Sequence, residues 1–323
     1  VANRTDAPGA GAMRLDEQRL HVEAKETAYE DAIAHRYNRD YHASPIMRDH
    51  DEDFVAFVQE HFRPGDRVLD LGCGPASLWH YWGAALAESA ALIGVDLSPG
   101  MVEEARNAYP TGDFRIGSHL EIPVPSGTID LVIASSTLHH LPDTLLPGAF
   151  AEISRVMAEH ATLVGREPVG TGRIADRAGW LSGAVMTFRH LVYRLTRTKE
   201  VPEPAIGDHH HAYDPKVFLE ALAKTFAPRS LRFRQPFSPY VGRCEDPLVA
   251  AIARWFDVWL KDVPGHTFHY AAMKNFADAA DVARCVRQEL ATEGRFDREE
   301  FLARLQVAAE LLERELERKT LSE

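Results

Sequence analysis

The segment 68–74, with the sequence VLDLGCG, restricts the possible folds more than any other part of the chain. A short apolar run that ends in Gly-x-Gly is typical of a buried strand turning into a helix, where the missing Cβ atoms let a ligand approach the backbone. A second apolar run, IGVD at 93–96, ends in Asp96, which follows Gly74 by 22 residues. An acidic side chain there is placed to accept hydrogen bonds from both hydroxyls of a ribose. The two segments therefore predict an α/β protein that binds a nucleoside at the carboxyl edge of its sheet.

Apolar segments alternate between two periods from residue 53 to about residue 237, which is typical of repeated βαβ units. Continuous apolar strands indicate a parallel sheet that is covered by helices on both faces. The predicted strands are 67–71, 91–95, 113–117, 129–135, 161–165 and 231–235. The predicted helices between them are 77–89, 100–109, 146–157 and 215–225. The expected fold is a doubly wound, mostly parallel sheet.

Together with this core, the flanking segments divide the chain into four predicted parts. Residues 1–13 are rich in Ala and Gly and lack apolar periodicity, so we expect a disordered leader there. Residues 14–52 show helical spacing and form an N-terminal helical part, followed by the core at 53–245. Residues 246–323 have a helical pattern throughout and predict a C-terminal helical extension. The apolar stripe of its last helix packs either on its own domain or on a second copy, so a homodimer is one possible arrangement.

Composition narrows the class of protein. There are 48 acidic and 36 basic side chains, a net charge of −12, and no basic stripe, which argues against a nucleic-acid partner. The three cysteines, Cys73, Cys244 and Cys285, are widely spaced and form no metal-binding pair, so we expect free thiols in the cytoplasm. No apolar run approaches the roughly 20 residues of a membrane span, and no membrane association is expected.

Two ligand classes share the geometry of a glycine loop followed by an acidic strand end. A dinucleotide site favours a third glycine, but here the loop continues as Pro75-Ala76-Ser77, and Asp70 precedes it within the strand. This combination resembles the class I S-adenosylmethionine-dependent methyltransferases, whose first motif is D-x-G-x-G. The similarity continues through the segments 114–118, 121–130, 131–143 and 166–168.

The resemblance implies a Rossmann-like methyltransferase fold with a seven-stranded sheet and S-adenosyl-L-methionine as cofactor. Gly72, Cys73 and Gly74 would offer their backbone to the methionine part beside Asp70, and Asp96 would hold the ribose. The other implied contacts surround the adenine, the methionine amino group and the N-terminal lid, and involve Leu97, Met101, Ser118, His119, Ser135, Tyr37 and Tyr41. At 118 the family usually offers an Asp to the adenine, so Ser118 is a departure from its pattern.

Histidines mark the expected acceptor side. His139 and His140 follow the fourth strand, and histidine is a suitable base for removing a proton from a hydroxyl acceptor. We favour His140, while the alternative is that one of the pair caps the next helix or bonds to the backbone. The run 208–211, Asp-His-His-His, ends the long insert 173–211 that the resemblance places over the acceptor pocket. Within this run we take His210 as a candidate catalytic residue. The alternatives are that the run is a solvated loop or that it forms a metal site with His139 or His140.

We expect no metal cofactor, because residues 136–140 contain no carboxylate for Mg²⁺. The predicted function is transfer of a methyl group to a small-molecule acceptor, with oxygen favoured over nitrogen or carbon. The rival hypothesis is a non-catalytic protein that binds the cofactor, although Gly72 and Gly74 are both present. Residues 14–43 and 173–211 are expected to fold over the carboxyl edge of the sheet, since methyl transfer requires a site closed to water.

Overall fold

A computed structural model describes residues 14–42, 45–82, 86, 89, 91–168, 215–234 and 267–274. In this part of the chain the strands form one seven-stranded sheet in the order β3-β2-β1-β4-β5-β7-β6. Its strands are β1 (Arg67–Leu71), β2 (Ala91–Asp96), β3 (Asp113–Ile116), β4 (Ile129–Ser135), β5 (Met157–Pro168), β6 (Ala227–Arg234) and β7 (Thr267–Met273). β1 to β5 are parallel, and β7 runs antiparallel to both β5 and β6. The predicted doubly wound, mostly parallel sheet of seven strands is confirmed.

Helices cover both faces of the sheet. They are α1 (Leu15–His42), α2 (Pro45–Gln59), α3 (Trp79–Trp82), α4 (Pro99–Ala108), α5 (Leu146–Val156) and α6 (Pro215–Ala223). Consecutive residues of β1 pack on opposite faces, Leu69 with Phe150 and Phe218, and Val68 with Phe54 and Trp82. The continuous apolar character of the strands therefore reflects burial on both sides.

The seventh strand corrects one sequence prediction. Thr267–Met273 lies in the segment 246–323, for which the pattern predicted helices only. Its central residues are buried between β5 and β6 on both faces, so periodicity does not separate such a short run from a helix. The sheet therefore continues beyond residue 245. The other residues of 246–323 lie outside the described part of the chain.

Two further boundaries differ from the sequence prediction. The helix expected at 77–89 begins two residues later, as α3 (Trp79–Trp82), and most of the residues expected to continue it lie outside the described part of the chain. β5 begins at Met157, four residues before the predicted start, and forms a ladder with β4 through a register shift between Ile129 and Leu131. The predicted leader, 1–13, lies outside the described residues.

α1 crosses the carboxyl edge of the sheet and is attached there by polar contacts. Asp31 accepts hydrogen bonds from the Ser98 hydroxyl and from the Gly100 N–H (2.9 Å) at the start of α4. Closer to its N-terminus, Arg19 pairs with Glu121 at 2.9 Å. The N-terminal segment thus covers the side where the strands of a parallel sheet place their loops. Among the described helices, none combines the length and apolar character needed to cross a membrane.

Candidate active site

A cavity lies between α1 and the carboxyl ends of β1, β2 and β4. The structure brings together in its wall His140 and eleven of the predicted cofactor contacts. These contacts are Tyr37, Asp70, Gly72, Cys73, Gly74, Asp96, Leu97, Met101, Ser118, His119 and Ser135. One site therefore contains residues that are up to 103 positions apart in the sequence, from Tyr37 to His140. Their individual roles stay predictions.

The glycine loop after β1 has a conformation that favours glycine. Gly72 has φ +73° and Gly74 has φ +53°, both in the left-handed region. A Cβ atom on Gly72 would lie 1.9 Å from the Thr137 hydroxyl, whereas one on Gly74 would meet no described atom within 4 Å. The Gly72 and Cys73 N–H groups donate to the Val95 carbonyl at 2.7 and 3.1 Å, which holds the loop against β2. The loop therefore leaves open space beside Gly74 for a ligand.

Cys73 contributes backbone rather than a reactive thiol. Its side chain packs in a small cluster with Phe114 and Val102, and burial raises the pKa of the thiol well above its ordinary value. A thiol held neutral in this way is a poor nucleophile. This agrees with the expectation that the loop offers main-chain groups to its ligand.

Asp96 closes the loop from the end of β2. Its two carboxylate oxygens accept hydrogen bonds from the Gly74 N–H at 2.8 Å and from the Ser98 N–H at 2.9 Å. Each oxygen keeps a second lone pair, so two ribose hydroxyls can still be bound. Burial raises the pKa of Asp96, while these two N–H donors oppose the rise. The geometry fits a ribose-binding carboxylate that is already oriented.

Asp70 has a partner that the sequence did not indicate. Its carboxylate accepts a hydrogen bond from the Trp79 indole at 2.9 Å, and burial raises its pKa to about 7. Trp79 in turn packs on Phe114 at 4.5 Å between ring centroids. Asp70 thus connects β1 to the helix after the glycine loop.

The region predicted to hold the adenine contains a carboxylate from α1. The Ser118 hydroxyl donates a hydrogen bond to Glu23 and accepts one from the Leu120 N–H at 3.0 Å. The buried His119 ring lies 2.6 Å from the Thr137 hydroxyl, and desolvation lowers its pKa to about 4. Glu23 therefore brings an acidic group to the position where Ser118 lacks one.

The turn after β4 is organised by a fully buried carboxylate. Glu167, in β5, accepts hydrogen bonds from the N–H groups of Thr137, Leu138 and His139 at 3.3, 2.9 and 3.2 Å. It also lies 2.9 Å from His139 Nδ1, and burial raises its pKa to about 7. These contacts fix the short 3₁₀ turn Leu138–His140. Ser136, just before it, has φ +51°, a strained conformation that is frequent at functional sites.

The two adjacent histidines have different surroundings. His139 is held by Glu167 and is absent from the described wall of the cavity. His140 lines the cavity, and its Nδ1 lies 2.8 Å from Glu26 of α1. Their rings stack at 4.1 Å between centroids. Of this pair, His140 is the one placed to reach a ligand.

Several predicted residues fall outside the described part of the chain. They are His210 with the rest of the 208–211 run, the insert 173–211, Cys244 and Cys285. Tyr41 lies in α1.

Sequence reasoning missed the acidic face of α1. Glu23, Glu26 and Glu30 all line the cavity, and their spacing of three and four residues places them on one side of the helix. The spacing is visible in the sequence, but a charged stripe on a helix is usually a solvated face, so the pattern alone does not indicate a site. The sequence likewise does not indicate that Glu167 holds the turn after β4, as the structure shows.

Comparison with known proteins places this geometry in a family. Residues 68–160 match a family described as "Methyltransferase domain". This part of the chain belongs to the class I S-adenosylmethionine-dependent methyltransferases. The matched segment spans β1 to the first third of β5, and so contains the glycine loop, Asp96 and the two histidines.

Relatives of the methyltransferase domain act on different substrates according to their names. The chain is 33% identical over 111 residues to the demethylmenaquinone methyltransferase of Symbiobacterium thermophilum, covering 32% of this chain and 43% of the relative. It is 30% identical to the malonyl-[acyl-carrier protein] O-methyltransferase of Serratia marcescens, covering 41% and 51% of the two chains. It is also 30% identical to the trans-aconitate 2-methyltransferase of Escherichia fergusonii, covering 46% and 53%. The chain thus spans about half the length of these curated relatives.

Among solved structures, the chain is similar to geranyl diphosphate C-methyltransferase from Streptomyces coelicolor A3(2). The TM-score is 0.48 at 17% identity, covering 71% of this chain and 81% of that chain.

Proposed function

We propose that the protein transfers the methyl group of S-adenosylmethionine to a small-molecule acceptor. The observation that carries the proposal is a single cavity in which the glycine loop, Asp96 and His140 meet at the carboxyl edge of the sheet. The names of the relatives support a small acceptor, since they include trans-aconitate 2-methyltransferase and demethylmenaquinone methyltransferase.

The residues present fit this cofactor. Gly74 leaves room for the methionine part, and Asp96 presents two oriented oxygens for the ribose. We propose that Glu23, hydrogen-bonded to Ser118, supplies the carboxylate for the adenine amine. Leu97 and Met101 line the same cavity and would contact the faces of the ring. When bound, S-adenosylmethionine supplies a sulfonium methyl group that is open to attack by a nucleophile.

We propose His140 as the base that accepts a proton from the acceptor. Its Nδ1 faces the Glu26 carboxylate, which would keep the proton on Nδ1 and leave Nε2 to accept one. A hydroxyl needs such a base because its pKa lies far above neutral, so a histidine here favours an oxygen nucleophile. Glu167 would act through the backbone of the turn by fixing where His140 lies.

We propose that α1 serves as a lid over the reacting groups. It crosses the edge of the sheet and adds Glu23, Glu26 and Tyr37 to the wall of the cavity. Its polar attachment through Asp31 and Arg19 is easier to open than an apolar interface, which suits a segment that must admit ligands.

The rival function is a protein that binds the cofactor without catalysing transfer. A methyl-labelled cofactor, incubated with panels of hydroxyl, carboxyl, amine and carbon-acid compounds, separates the two. We expect label to enter an oxygen acceptor and S-adenosylhomocysteine to form in equal amount, with mass spectrometry locating the new methyl. Binding of the cofactor without transfer to any panel would favour the rival, and tight binding of NAD in its place would overturn both. The surface variant Glu103→Gln, on the exposed side of α4, should behave as the wild type.

A further inference from the structure

Two carboxylates of α1 face the cavity one turn apart. Glu26 is buried and Glu30 is partly buried, and the two are hydrogen-bonded to each other. One oxygen from each, together with a ring nitrogen of His140, lie within 4.8 Å of one another. Asp96 also faces Glu30 closely enough to interact with its charge. Three acidic groups therefore converge on one part of the cavity.

Two cationic side chains, Arg166 in the described wall of the cavity and Arg19 on α1, are engaged with other acids. Arg166, from β5, pairs with Asp51 of α2 at 2.5 Å and bonds to the Ser135 hydroxyl. Arg19 lies on the same helix as the pair but binds Glu23 and Glu121.

Three titratable groups near the pair in the described part of the chain, His119, Asp70 and Asp31, add no positive charge near pH 7. The pKa of His119 is lowered by burial, so this ring is neutral near pH 7. Asp70 accepts from Trp79, and Asp31 accepts from the start of α4, and both are acids. His140, in the described wall, contacts Glu26 through Nδ1 at 2.8 Å. The cavity is therefore suited to a cationic ligand.

We propose that Glu26 and Glu30 make the cofactor cavity selective for positive charge, so that it binds the sulfonium cofactor strongly and the neutral thioether product weakly. The inference rests on the proposed function, because it takes the cofactor from there. S-adenosylmethionine carries one more positive charge than S-adenosylhomocysteine, and the two molecules otherwise share the adenosine and amino-acid parts. A cavity that favours the positive charge would release S-adenosylhomocysteine after each methyl transfer.

The proposal predicts that ligand binding changes the number of protons bound by the pair. Burial first, and then the charges of Glu26, Asp96 and Asp31, raise the pKa of Glu30 to about 9. Without a cationic ligand the pair therefore holds a proton at neutral pH. A sulfonium group beside it replaces that proton, which leaves to the buffer, whereas a neutral thioether does not. Binding of S-adenosylmethionine should release about one proton more than binding of S-adenosylhomocysteine.

Calorimetry of the full chain tests this directly. Each ligand is titrated in two buffers of different ionisation enthalpy, between about pH 6 and 7.5, where the amino groups of both ligands stay mostly charged. As the pH rises, the dissociation constant of S-adenosylmethionine should fall relative to that of S-adenosylhomocysteine by up to tenfold per pH unit. Equal proton release for the two ligands, or a ratio that does not change with pH, would overturn the proposal.

Two variants test whether Glu30 causes the difference between the two ligands. Glu30→Gln should weaken S-adenosylmethionine on the order of tenfold and S-adenosylhomocysteine less than twofold, and should abolish the difference in proton release. Glu103→Gln removes the same charge from an exposed position of α4 and should change neither ligand. If Glu30→Gln weakens both ligands equally, the carboxylate is structural and the proposal fails, and the wild-type titrations decide the matter if the variant does not fold.

Two further outcomes separate the explanations. If neither ligand binds the wild-type protein, the proposed function fails and the inference fails with it, whereas equal binding of both defeats the inference alone. Because two carboxylates and a histidine also match the ligands of a divalent ion, the titrations are repeated with EDTA and with added Mn²⁺ or Zn²⁺. A requirement for metal in cofactor binding would overturn the proposal, and unchanged constants would support it.

Discussion

Asp96 and Glu167 do the same local task at two points on the carboxyl edge of the sheet, but they face different surroundings. Asp96 accepts two backbone N–H groups and orders the glycine loop, and Glu167 accepts three and orders the turn that carries His139 and His140. Asp96 lines the cavity, whereas Glu167 is fully buried and is absent from its described wall. A carboxylate that holds a loop can therefore also bind a ligand only if it keeps a lone pair directed at open space.

This difference divides the site into two halves. In the cofactor half, the residue that shapes the loop is also the expected ligand contact. In the acceptor half these tasks are separate, since Glu167 shapes the turn and His140 faces the cavity. Substitutions in the first half should therefore change binding directly, while those at Glu167 should act through stability and through the position of His140.

The largest effect is expected at His140. Its change to Ala should lower turnover by roughly 10² to 10⁴-fold and leave cofactor affinity nearly intact, because a base acts only in the transition state. Single-turnover kinetics and calorimetry of one preparation give both numbers. His139→Ala is the matched control, since His139 binds Glu167 and should mainly lower stability. Unchanged turnover in His140→Ala would move the base elsewhere, and lost cofactor binding would mark His140 as structural.

Glu167→Ala tests the structural half of the comparison. It leaves three buried N–H groups and His139 without their acceptor, and should lower the free energy of unfolding by about 3 kcal/mol. Urea unfolding measures the loss. Glu121→Ala removes an exposed carboxylate that pairs with Arg19, and should cost less than about 1 kcal/mol. If Glu167→Ala unfolds like the wild type, the turn is held by other contacts.

Asp96→Ala tests the binding half. It removes two hydrogen bonds to a ribose, so affinity for S-adenosylmethionine should fall on the order of 10²-fold, which is about 2.7 kcal/mol. The loss of unfolding free energy should be smaller than in Glu167→Ala, because two N–H groups rather than three lose their acceptor. Calorimetry and urea unfolding on the same variants compare the two sites. Equal affinity in wild type and variant would contradict the role given to Asp96.

Much of the cofactor half could be predicted from the sequence because its chemistry is local. The residues of the glycine loop stand together at 72–74, and Asp96 ends the next strand, so strand order alone brings them to one edge. The acceptor half depends on pairings between distant segments, Glu167 with the 137–139 backbone and His140 with Glu26. The spacing of apolar residues along the sequence does not indicate such contacts. The same holds for β7, whose strand character comes from the β5 and β6 neighbours that it pairs with.

The smallest effect expected is a pH dependence that arises in the turn. Because burial raises the pKa of Glu167 from 4.5 to about 7, the native state keeps a proton between these values that the unfolded chain has released. The free energy of unfolding then falls as the pH rises, by at most about 1.4 kcal/mol per pH unit, and this contribution levels off above about pH 7. Asp70, with a pKa raised to about 7, titrates in the same window, so the wild type alone does not isolate Glu167.

Glu167→Gln separates the contribution of Glu167 from that of Asp70, since the amide keeps an acceptor oxygen but does not titrate. The difference in unfolding free energy between wild type and variant should decline from about pH 4.5 to 7 and then stay constant. Asp70→Asn is the matched comparison, because it removes the other buried carboxyl of the same pKa and leaves the turn intact. If the difference instead rises with pH up to about 4.5 and stays constant from there to pH 7, the three N–H donors and His139 outweigh burial, and Glu167 is ionised in the native state between pH 4.5 and 7. Exposure to the cavity would then be the property that distinguishes the two halves.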